Sequence, residues 1–136
     1  MAKEMNVIVK GIILYKEKVL ILRRSSANKI GAGKWEFVGG SINFGEGLEE
    51  ALIREIKEEV SIDVEIDKIL YATTYHTTPE RYDVIIVYKC KAVNNNVMLS
   101  GEHSDYRWVD EKELRQLVFK DIVDALDRYN VFPEIF

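Results

Sequence analysis

The first part of the chain has the apolar pattern of a buried β-hairpin. Residues 7–15 carry aliphatic side chains on both alternating faces, which is typical of a strand covered on both sides. Residues 16–18 are charged and predict a tight turn. Residues 19–22 are apolar again, and the chain then reaches Arg23 and Arg24. The pattern predicts two antiparallel strands joined by a short turn.

Two more extended segments and two helical segments follow. Residues 63–74 and 82–91 are rich in β-branched and aromatic side chains and predict long strands with apolar faces. Residues 48–60 carry an apolar stripe at helical spacing. The C-terminal segment has the same spacing at Leu114, Leu117, Ile122, Val123 and Leu126. Because a sheet that is apolar on both faces needs helices on both, the pattern predicts an α/β fold.

Polar connections separate these elements. Residues 25–34 form a glycine-containing loop, and residues 77–83 are predicted to connect the two long strands. Loops that are held by a rigid sheet often carry binding residues. Tyr75 and Tyr82 flank the second connection and either stack on a base or pack within the sheet. His76 is interpreted as a surface histidine, since no cluster of Cys or His suggests a zinc site.

The helical segment 48–60 carries a cluster of acids. Glu55, Glu58 and Glu59 are spaced i, i+3 and i+4, so they lie on one face within one turn. Glu59 falls inside the apolar stripe, where an ionised carboxylate needs a partner. One interpretation is a solvated acidic face. The other is a site for a hard divalent cation such as Mg²⁺, which removes both the charge repulsion and the loss of hydration.

These acids belong to a longer pattern that includes the preceding glycine loop. The pattern is Gly, five residues, Glu, seven residues, Arg-Glu, an aliphatic residue, any residue, Glu-Glu, any residue, Gly and an aliphatic residue, and it resembles the signature of the Nudix hydrolases. The matching positions are Gly40, Glu46, Arg54, Glu55, Ile56, Glu58, Glu59 and Ile62. Ser61 stands where the family has a helix-ending glycine, often in a left-handed conformation. Serine there costs about 1 kcal/mol and affects the turn rather than the metal ligands.

This resemblance implies a fold and an activity. The fold is the Nudix α/β/α sandwich, a mixed β-sheet between helices, with residues 1–136 forming one domain. The activity is hydrolysis of the pyrophosphate linkage of a nucleoside diphosphate derivative by water. The implied cofactor is Mg²⁺, with Mn²⁺ as a substitute, because phosphoryl transfer needs charge neutralisation and a positioned water.

The resemblance also suggests which residues form the site. The expected metal ligands are Glu55, Glu58, Glu59, the backbone at Gly39, and Glu102. The expected catalytic residues are Glu55, Arg54 and Glu58. The general base is Glu55 or an acid of the later loop, Glu102 or Asp105. Arg54 either orients an acid or touches a phosphate, whereas Gly40 and Glu46 are expected to structure the loop.

Substrate contacts lie outside the signature. The candidates are Arg23, Trp35, Phe37, Tyr75 and Tyr82. Arg23 is either solvated at a strand end or in contact with phosphate. The short chain favours a (deoxy)nucleoside triphosphate, oxidised or unmodified, with ADP-ribose or another nucleoside diphosphate sugar as the alternative. Two other classes are a non-catalytic nucleotide-sensing domain and an interaction protein with an acidic helix.

Composition restricts the partners further. The chain has 136 residues and is 47% hydrophobic, enough for the core of one domain. A net charge of −4 argues against stable binding to nucleic acid. The only cysteine, Cys90, cannot form an internal disulfide, and the N-terminal residues contain no long apolar segment. We expect a cytoplasmic protein that acts on a small nucleotide, without a membrane partner, as a monomer or homodimer.

Overall fold

The computed structural model describes residues 2–136 as seven β-strands and four α-helices. The strands are β1 (Glu4–Tyr15), β2 (Lys18–Arg24), β3 (Trp35–Glu36), β4 (Val38–Ser41), β5 (Val64–Thr78), β6 (Arg81–Ala92) and β7 (His103–Val109). The helices are α1 (Leu48–Val60), α2 (Glu111–Leu117), α3 (Lys120–Arg128) and α4 (Phe132–Ile135). The turn between β1 and β2 is formed by Lys16 and Glu17, whose φ angles are 48° and 66°, as a two-residue hairpin requires.

Strand β1 is the centre of a mixed sheet. The strand order is β3-β2-β1-β6-β5, with β4 also beside β1 and β7 also beside β2. β1 pairs with β6 in parallel, whereas β4 pairs with β1 in antiparallel orientation over residues 8–11. The C-terminal end of β1 pairs with β2 at Leu14 and Tyr15. The expected mixed sheet is therefore confirmed, and β2 and β4 share one edge of its central strand.

Apolar side chains on opposite faces of the sheet form two cores. Val9 of β1 belongs to a core with Leu52 and Ile56 of α1. Ile12 of β1 belongs to a second core with Leu126 of α3. Helices thus cover both faces of the sheet, as the apolar pattern predicts. No helix among residues 2–136 is both long and apolar enough to cross a membrane.

The C-terminal helical pattern is interrupted between α2 and α3. Val118 has extended backbone angles and forms a parallel bridge with Trp35. The amide of Phe119 then donates to the carbonyl of Trp35 at 3.2 Å. The pattern in the sequence does not reveal this break, because the apolar spacing continues through it. The break places Phe119 beside β3, where the candidate site lies.

The hairpin of β5 and β6 is longer than the sequence pattern predicts. β5 continues to Thr78, and β6 begins at Arg81 after a turn at Pro79 and Glu80. The predicted connection over residues 77–83 is therefore wrong in its bounds, since the strand ladder continues up to the proline.

Strand β5 also differs from a strand with two covered faces. It lies at the end of the strand order, and within residues 2–136 it pairs with β6 alone. Ile69 within it is 53% exposed. The central strands are covered on both faces, whereas the edge strand β5 is not.

Ser61 ends α1 in the left-handed conformation that the family glycine suggests. Its φ and ψ angles are 57° and 32°, and its amide donates to the carbonyl of Lys57 at 3.1 Å. The helix therefore ends as expected, although a side chain is present at this position.

Replacing Ser61 with glycine is expected to stabilise the protein, because glycine adopts this conformation without steric strain. The expected gain in the free energy of unfolding is about 1 kcal/mol, measured by urea denaturation. Asn130→Gly is the matched control, since Asn130 has a φ of 53° but asparagine tolerates this region better. A Ser61→Gly protein no more stable than the wild type contradicts the prediction.

Candidate active site

Two glycines allow β4 to approach both β1 and α1. Gly39 has a φ of 151°, and a Cβ atom at this position would overlap the carbonyl oxygen of Val9. A Cβ atom at Gly40 would lie 2.6 Å from Oε2 of Glu55. Both positions therefore require glycine, and Gly40 leaves the space that the Glu55 carboxylate occupies.

The loop after β4 is held by a charged pair. Nε and Nη2 of Arg54 donate to the two carboxylate oxygens of Glu46 at 2.7 and 2.9 Å. Glu46 also accepts from the amide of Asn43 at 2.7 Å. Hydrogen bonding by Arg54 lowers the pKa of Glu46 to about 2. Glu46 thus connects the loop to α1 through a bidentate contact.

Arg54 also contacts two acids of α1 and the end of β4. Its Nη1 donates to Glu55 at 2.9 Å and to Glu58 at 3.2 Å. Its Nη2 donates to the carbonyl of Ser41 at 3.1 Å. The guanidinium is therefore engaged on all sides with protein groups, which favours its role in orienting acids over contact with a phosphate.

Glu59 is buried at the base of the glycine loop. It is 6% exposed, and its Oε1 accepts from the amide of Gly39 at 2.9 Å. Burial raises the pKa of Glu59 to about 7, although the charge of Lys10 acts in the opposite direction. Glu59 lies within the apolar stripe of α1, where an ionised carboxylate needs a partner, and that partner is the backbone amide of Gly39. Desolvation, rather than repulsion within the acid cluster, is the main cause of the shift.

The three signature acids of α1 do not occupy equivalent positions. Glu55 and Glu59 line a cleft beside Gly39 and Gly40. The Glu58 side chain is 59% exposed and contacts Arg54 instead. Glu58 therefore lies at the rim of the site, whereas the other two acids lie inside it.

Glu102 approaches the same cleft from the loop before β7. Its carbonyl accepts from the amide of Ser25 at 3.0 Å and from Nδ2 of Asn28 at 2.8 Å, which connects the two loops. Glu59, Glu102 and His103 each offer a ligand atom within 4.8 Å of the others. These contacts place Glu102 where a cation could contact both its carboxylate and that of Glu59.

Glu36 is a charged residue of the site that sequence reasoning missed. It accepts from Lys10 at 3.2 Å and Arg24 at 3.1 Å, and it contacts Nε2 of His103 at 3.0 Å. Burial raises the pKa of Glu36, but Lys10, His103 and Arg24 outweigh that effect and hold it well below its usual range. The signal in the sequence was a glutamate within the apolar run of residues 35–38.

The cleft has a volume of about 770 Å³ and combines acidic, basic and aromatic walls. Its acidic wall includes Glu55 and Glu59, which lie beside Gly40 and Gly39. The basic residues that line it are Lys10, Arg24, Lys29, Lys34 and Arg81. Aromatic side chains are supplied by Trp35, Tyr75 and Phe119. A cleft of this size and lining suits a small anionic ligand that carries an aromatic ring.

Three predicted substrate contacts need correction. Phe37 is 2% exposed and belongs to the core below the C-terminal helices, so it offers no surface to a ligand. Tyr82 alternates with the cleft residues of β6 and packs on His76 with ring centroids 4.4 Å apart. Arg23 donates through Nε to the carbonyl of Gly33 at 3.2 Å, and Arg24 lines the cleft in its place.

The other candidates divide between the cleft and its surroundings. Trp35 and Tyr75 line the cleft. Asp105 is paired with Arg23 in the ladder between β2 and β7, and it lies outside the cleft lining. Of the acids considered as general base, Glu55 and Glu102 are therefore the two that the structure brings to the cleft.

The carboxylates fit a divalent cation. Glu59 is buried with its carboxylate near a second acid, Glu102, and each has oxygen atoms available as ligands. A cation there would favour the ionised form of Glu59, whose pKa burial raises to about 7. Oxygen donors are also the ligands that Mg²⁺ and Mn²⁺ accept.

Fold and site together describe an α/β enzyme with a glycine-bordered, carboxylate-containing cleft. Residues 5–132 match the family model described as the NUDIX domain. The chain belongs to the Nudix family and is a Nudix hydrolase.

Relatives with assigned names agree with this membership. The chain is 31% identical over 120 residues to the nucleoside triphosphatase NudI of Enterobacter sp. (strain 638), covering 81% of this chain and 85% of the relative. The crystal structure of a MutT protein from Methanosarcina mazei Go1 superimposes with a TM-score of 0.86 at 28% identity and covers 96% of both chains. A MutT NUDIX hydrolase from Burkholderia pseudomallei shares the fold, with a TM-score of 0.78 at 24% identity over 92% of this chain and 98% of that one.

Glu59→Gln is expected to stabilise the metal-free protein at pH 8. The pKa of Glu59 is about 7 in the folded protein against an ordinary value of 4.5, so the folded state holds this proton more tightly. Wild-type stability should therefore fall as pH rises from 4.5 through 7, by about 3 kcal/mol in total. Glutamine keeps an oxygen for the Gly39 amide and removes this dependence.

The measurement is urea unfolding in a chelating buffer at pH 5 and pH 8. The advantage of Glu59→Gln over the wild type should be larger at pH 8. Glu58→Gln, which removes an exposed carboxylate of the same helix turn, is the control and should not reproduce this change. Equal differences at the two pH values would show that burial does not penalise the ionised Glu59.

Proposed function

We propose that this chain hydrolyses (deoxy)nucleoside triphosphates, oxidised or unmodified, to a nucleoside monophosphate and pyrophosphate with Mg²⁺. The observation that carries the proposal is the placement of Glu55, Glu59 and Glu102 at one end of a cleft that has basic and aromatic walls. The relative named nucleoside triphosphatase NudI supports the choice of substrate class.

The metal would be held by oxygen atoms of the signature and the loop before β7. The proposed ligands are Glu55, Glu58, Glu59, the Gly39 backbone and Glu102. Glu58 lies at the rim of the site, so its part in this set is the point that most needs a test. When bound, Mg²⁺, or Mn²⁺ as a substitute, neutralises phosphate charge and lowers the pKa of a water.

Arg54 acts as a positioning residue in this proposal. It fixes the carboxylate of Glu55 through a 2.9 Å hydrogen bond and fixes the loop through Glu46. The general base that accepts the proton of the attacking water is then Glu55 or Glu102. Both line the cleft, and a carboxylate can accept a proton from a water that it contacts.

Lys10 and Arg24 bind the phosphates in this proposal. Lys10 donates to Glu36 and to the carbonyl of Phe37, so one of its three N–H groups is left for a ligand. Glu36 keeps Lys10 and Arg24 side by side. Their charges offset the negative charge of a polyphosphate as it leaves water.

The first functional prediction concerns the acids. Glu58→Gln and Glu59→Gln are each expected to lower kcat by about two orders of magnitude or more, because each removes a charged metal ligand. Turnover of a triphosphate with Mg²⁺ is the measurement, with circular dichroism to verify folding. Glu49→Gln removes an acid from the first turn of the same helix and should retain wild-type activity. Activity within threefold of wild type for both ligand variants would remove the metal assignment.

The second functional prediction concerns the substrate. Nucleoside triphosphates, oxidised triphosphates, ADP-ribose, dinucleoside polyphosphates and nucleotide sugars are to be compared by kcat/KM with Mg²⁺. We expect a triphosphate to give the highest value and to yield pyrophosphate as a product. An ADP-ribose value ten times that of every triphosphate would replace this substrate with a nucleoside diphosphate sugar. Tight binding without turnover of any compound would indicate a sensor.

A further inference from the structure

The cleft has a second charged group at the end away from the signature acids. It consists of Thr77 of β5 with Arg81 and Asp83 of β6, and all three residues line the cleft. Neither the signature nor the metal site uses these residues.

Asp83 fixes the position of Arg81. Asp83 is 3% exposed, and its Oδ1 accepts from Nε of Arg81 at 3.0 Å. Its Oδ2 accepts from the hydroxyl of Thr77. Both oxygens of the buried carboxylate thus have partners, and one of them holds the guanidinium by its Nε side.

The other side of the Arg81 guanidinium is available to a ligand. Among residues 2–136, neither Nη atom of Arg81 has a hydrogen-bond partner, and neither is a buried atom. The side chain is 28% exposed and faces the cleft. Arg81 therefore presents two adjacent N–H groups in one plane, a donor pair that matches two adjacent acceptors.

The sheet register places the backbone of Arg81 far from the signature acids. Ser41, at the end of β4, pairs with Ile8 of β1, and Ile8 pairs with Ile85 of β6. Arg81 lies four residues before Ile85, which is roughly 13 Å along the strand, and two strand spacings add roughly 10 Å across the sheet. The nucleoside end of a substrate would reach this position when its pyrophosphate lies at the acids.

An aromatic ring lies beside Arg81 at this end of the cleft. Tyr75 pairs with Asp83 in the ladder between β5 and β6, and it lines the cleft. Its hydroxyl donates to Oδ2 of Asp121 at 2.8 Å, which fixes the ring between the sheet and α3. A base that stacks on Tyr75 would have its edge close to the Arg81 donors.

We propose that Arg81 selects the base of the substrate by hydrogen bonding to two adjacent acceptors on its edge. Guanine offers such a pair at O6 and N7. Cytosine offers one at O2 and N3. In adenine the N6 amino donor lies next to N7 and N1, and in thymine the N3–H donor lies between O2 and O4. Neither base therefore offers two adjacent acceptors on these edges to the two N–H groups of Arg81. The inference rests on the proposed function and names guanine or cytosine nucleotides as the substrates within that class.

The test compares wild type with Arg81→Lys, which keeps the charge near Asp83 but loses the planar pair of donors. We measure kcat/KM for dGTP, dCTP, dATP and dTTP with Mg²⁺. The wild type should prefer dGTP or dCTP, and the separate values show which base is read. Arg81→Lys should lower kcat/KM for the preferred substrate by between about five- and a hundredfold, mainly through KM. Values for dATP and dTTP should change less than threefold.

Arg128→Lys is the matched control, because Arg128 lies at the end of α3 over the ring of Tyr129 and outside the cleft lining. It should keep the wild-type preference. Equal loss for all four substrates in Arg81→Lys, an unchanged preference, or a wild type without preference for guanine or cytosine would each overturn the proposal.

A binding measurement on the wild type separates this proposal from the proposed function. The four deoxynucleoside monophosphates are titrated without metal while the side-chain NMR signals of ¹⁵N-labelled arginine are followed. We expect dGMP or dCMP to bind at least fivefold more tightly than dAMP and dTMP and to shift the Arg81 signals. If dGMP or dCMP binds more tightly but no triphosphate is hydrolysed, only the proposed function is contradicted. Equal binding of all four monophosphates would remove the base-reading role, whatever the turnover.

Discussion

The guanidinium of Arg54 holds three parts of the molecule in one arrangement. It joins the loop through Glu46, the end of β4 through Ser41, and α1 through Glu55 and Glu58. A planar group with five N–H donors can satisfy several acceptors at fixed angles, which an ammonium cannot do. The geometry of Glu46, Glu55 and Glu58 therefore depends on this one side chain, even though it does not line the cleft itself.

Local periodicity predicts those features of the site that lie within one helix or one turn. The burial of Glu59 follows from its place in the apolar stripe. The left-handed conformation of Ser61 follows instead from the resemblance, since the family has a glycine at this position. The contact between Glu36 and His103 joins residues that are 67 positions apart, so no local pattern indicates it. Helices on both sides of the sheet could be predicted because residues 7–15 are aliphatic on both alternating faces, whereas the mixed strand order was implied by the resemblance to the family.

The alternation of side chains between the two faces of a strand explains the errors in the predicted substrate contacts at Arg23 and Tyr82. Successive side chains of a strand point to opposite faces, so an error of one residue moves a side chain from cleft to core or to the far face. Arg23 and Arg24 are successive residues of β2, and Arg24 rather than Arg23 lines the cleft. Tyr82 follows the same rule, since its neighbours Arg81 and Asp83 line the cleft and it does not. Phe37 lies between β3 and β4 and is buried in the core instead. The face to which a strand residue points depends on how its strand pairs with a neighbouring strand, and that neighbour lies elsewhere in the sequence.

At the break between α2 and α3, one wall of the cleft is held in place by main-chain contacts. Val118 bridges to Trp35, and the amide of Phe119 donates to the carbonyl of Trp35, so main-chain contacts hold this segment against β3. Phe119 lines the cleft, and its backbone is held by β3. The main-chain contacts that hold this wall do not depend on which side chain stands at position 119. Evolution or design can reshape the ligand volume here while the order of strands and helices stays the same.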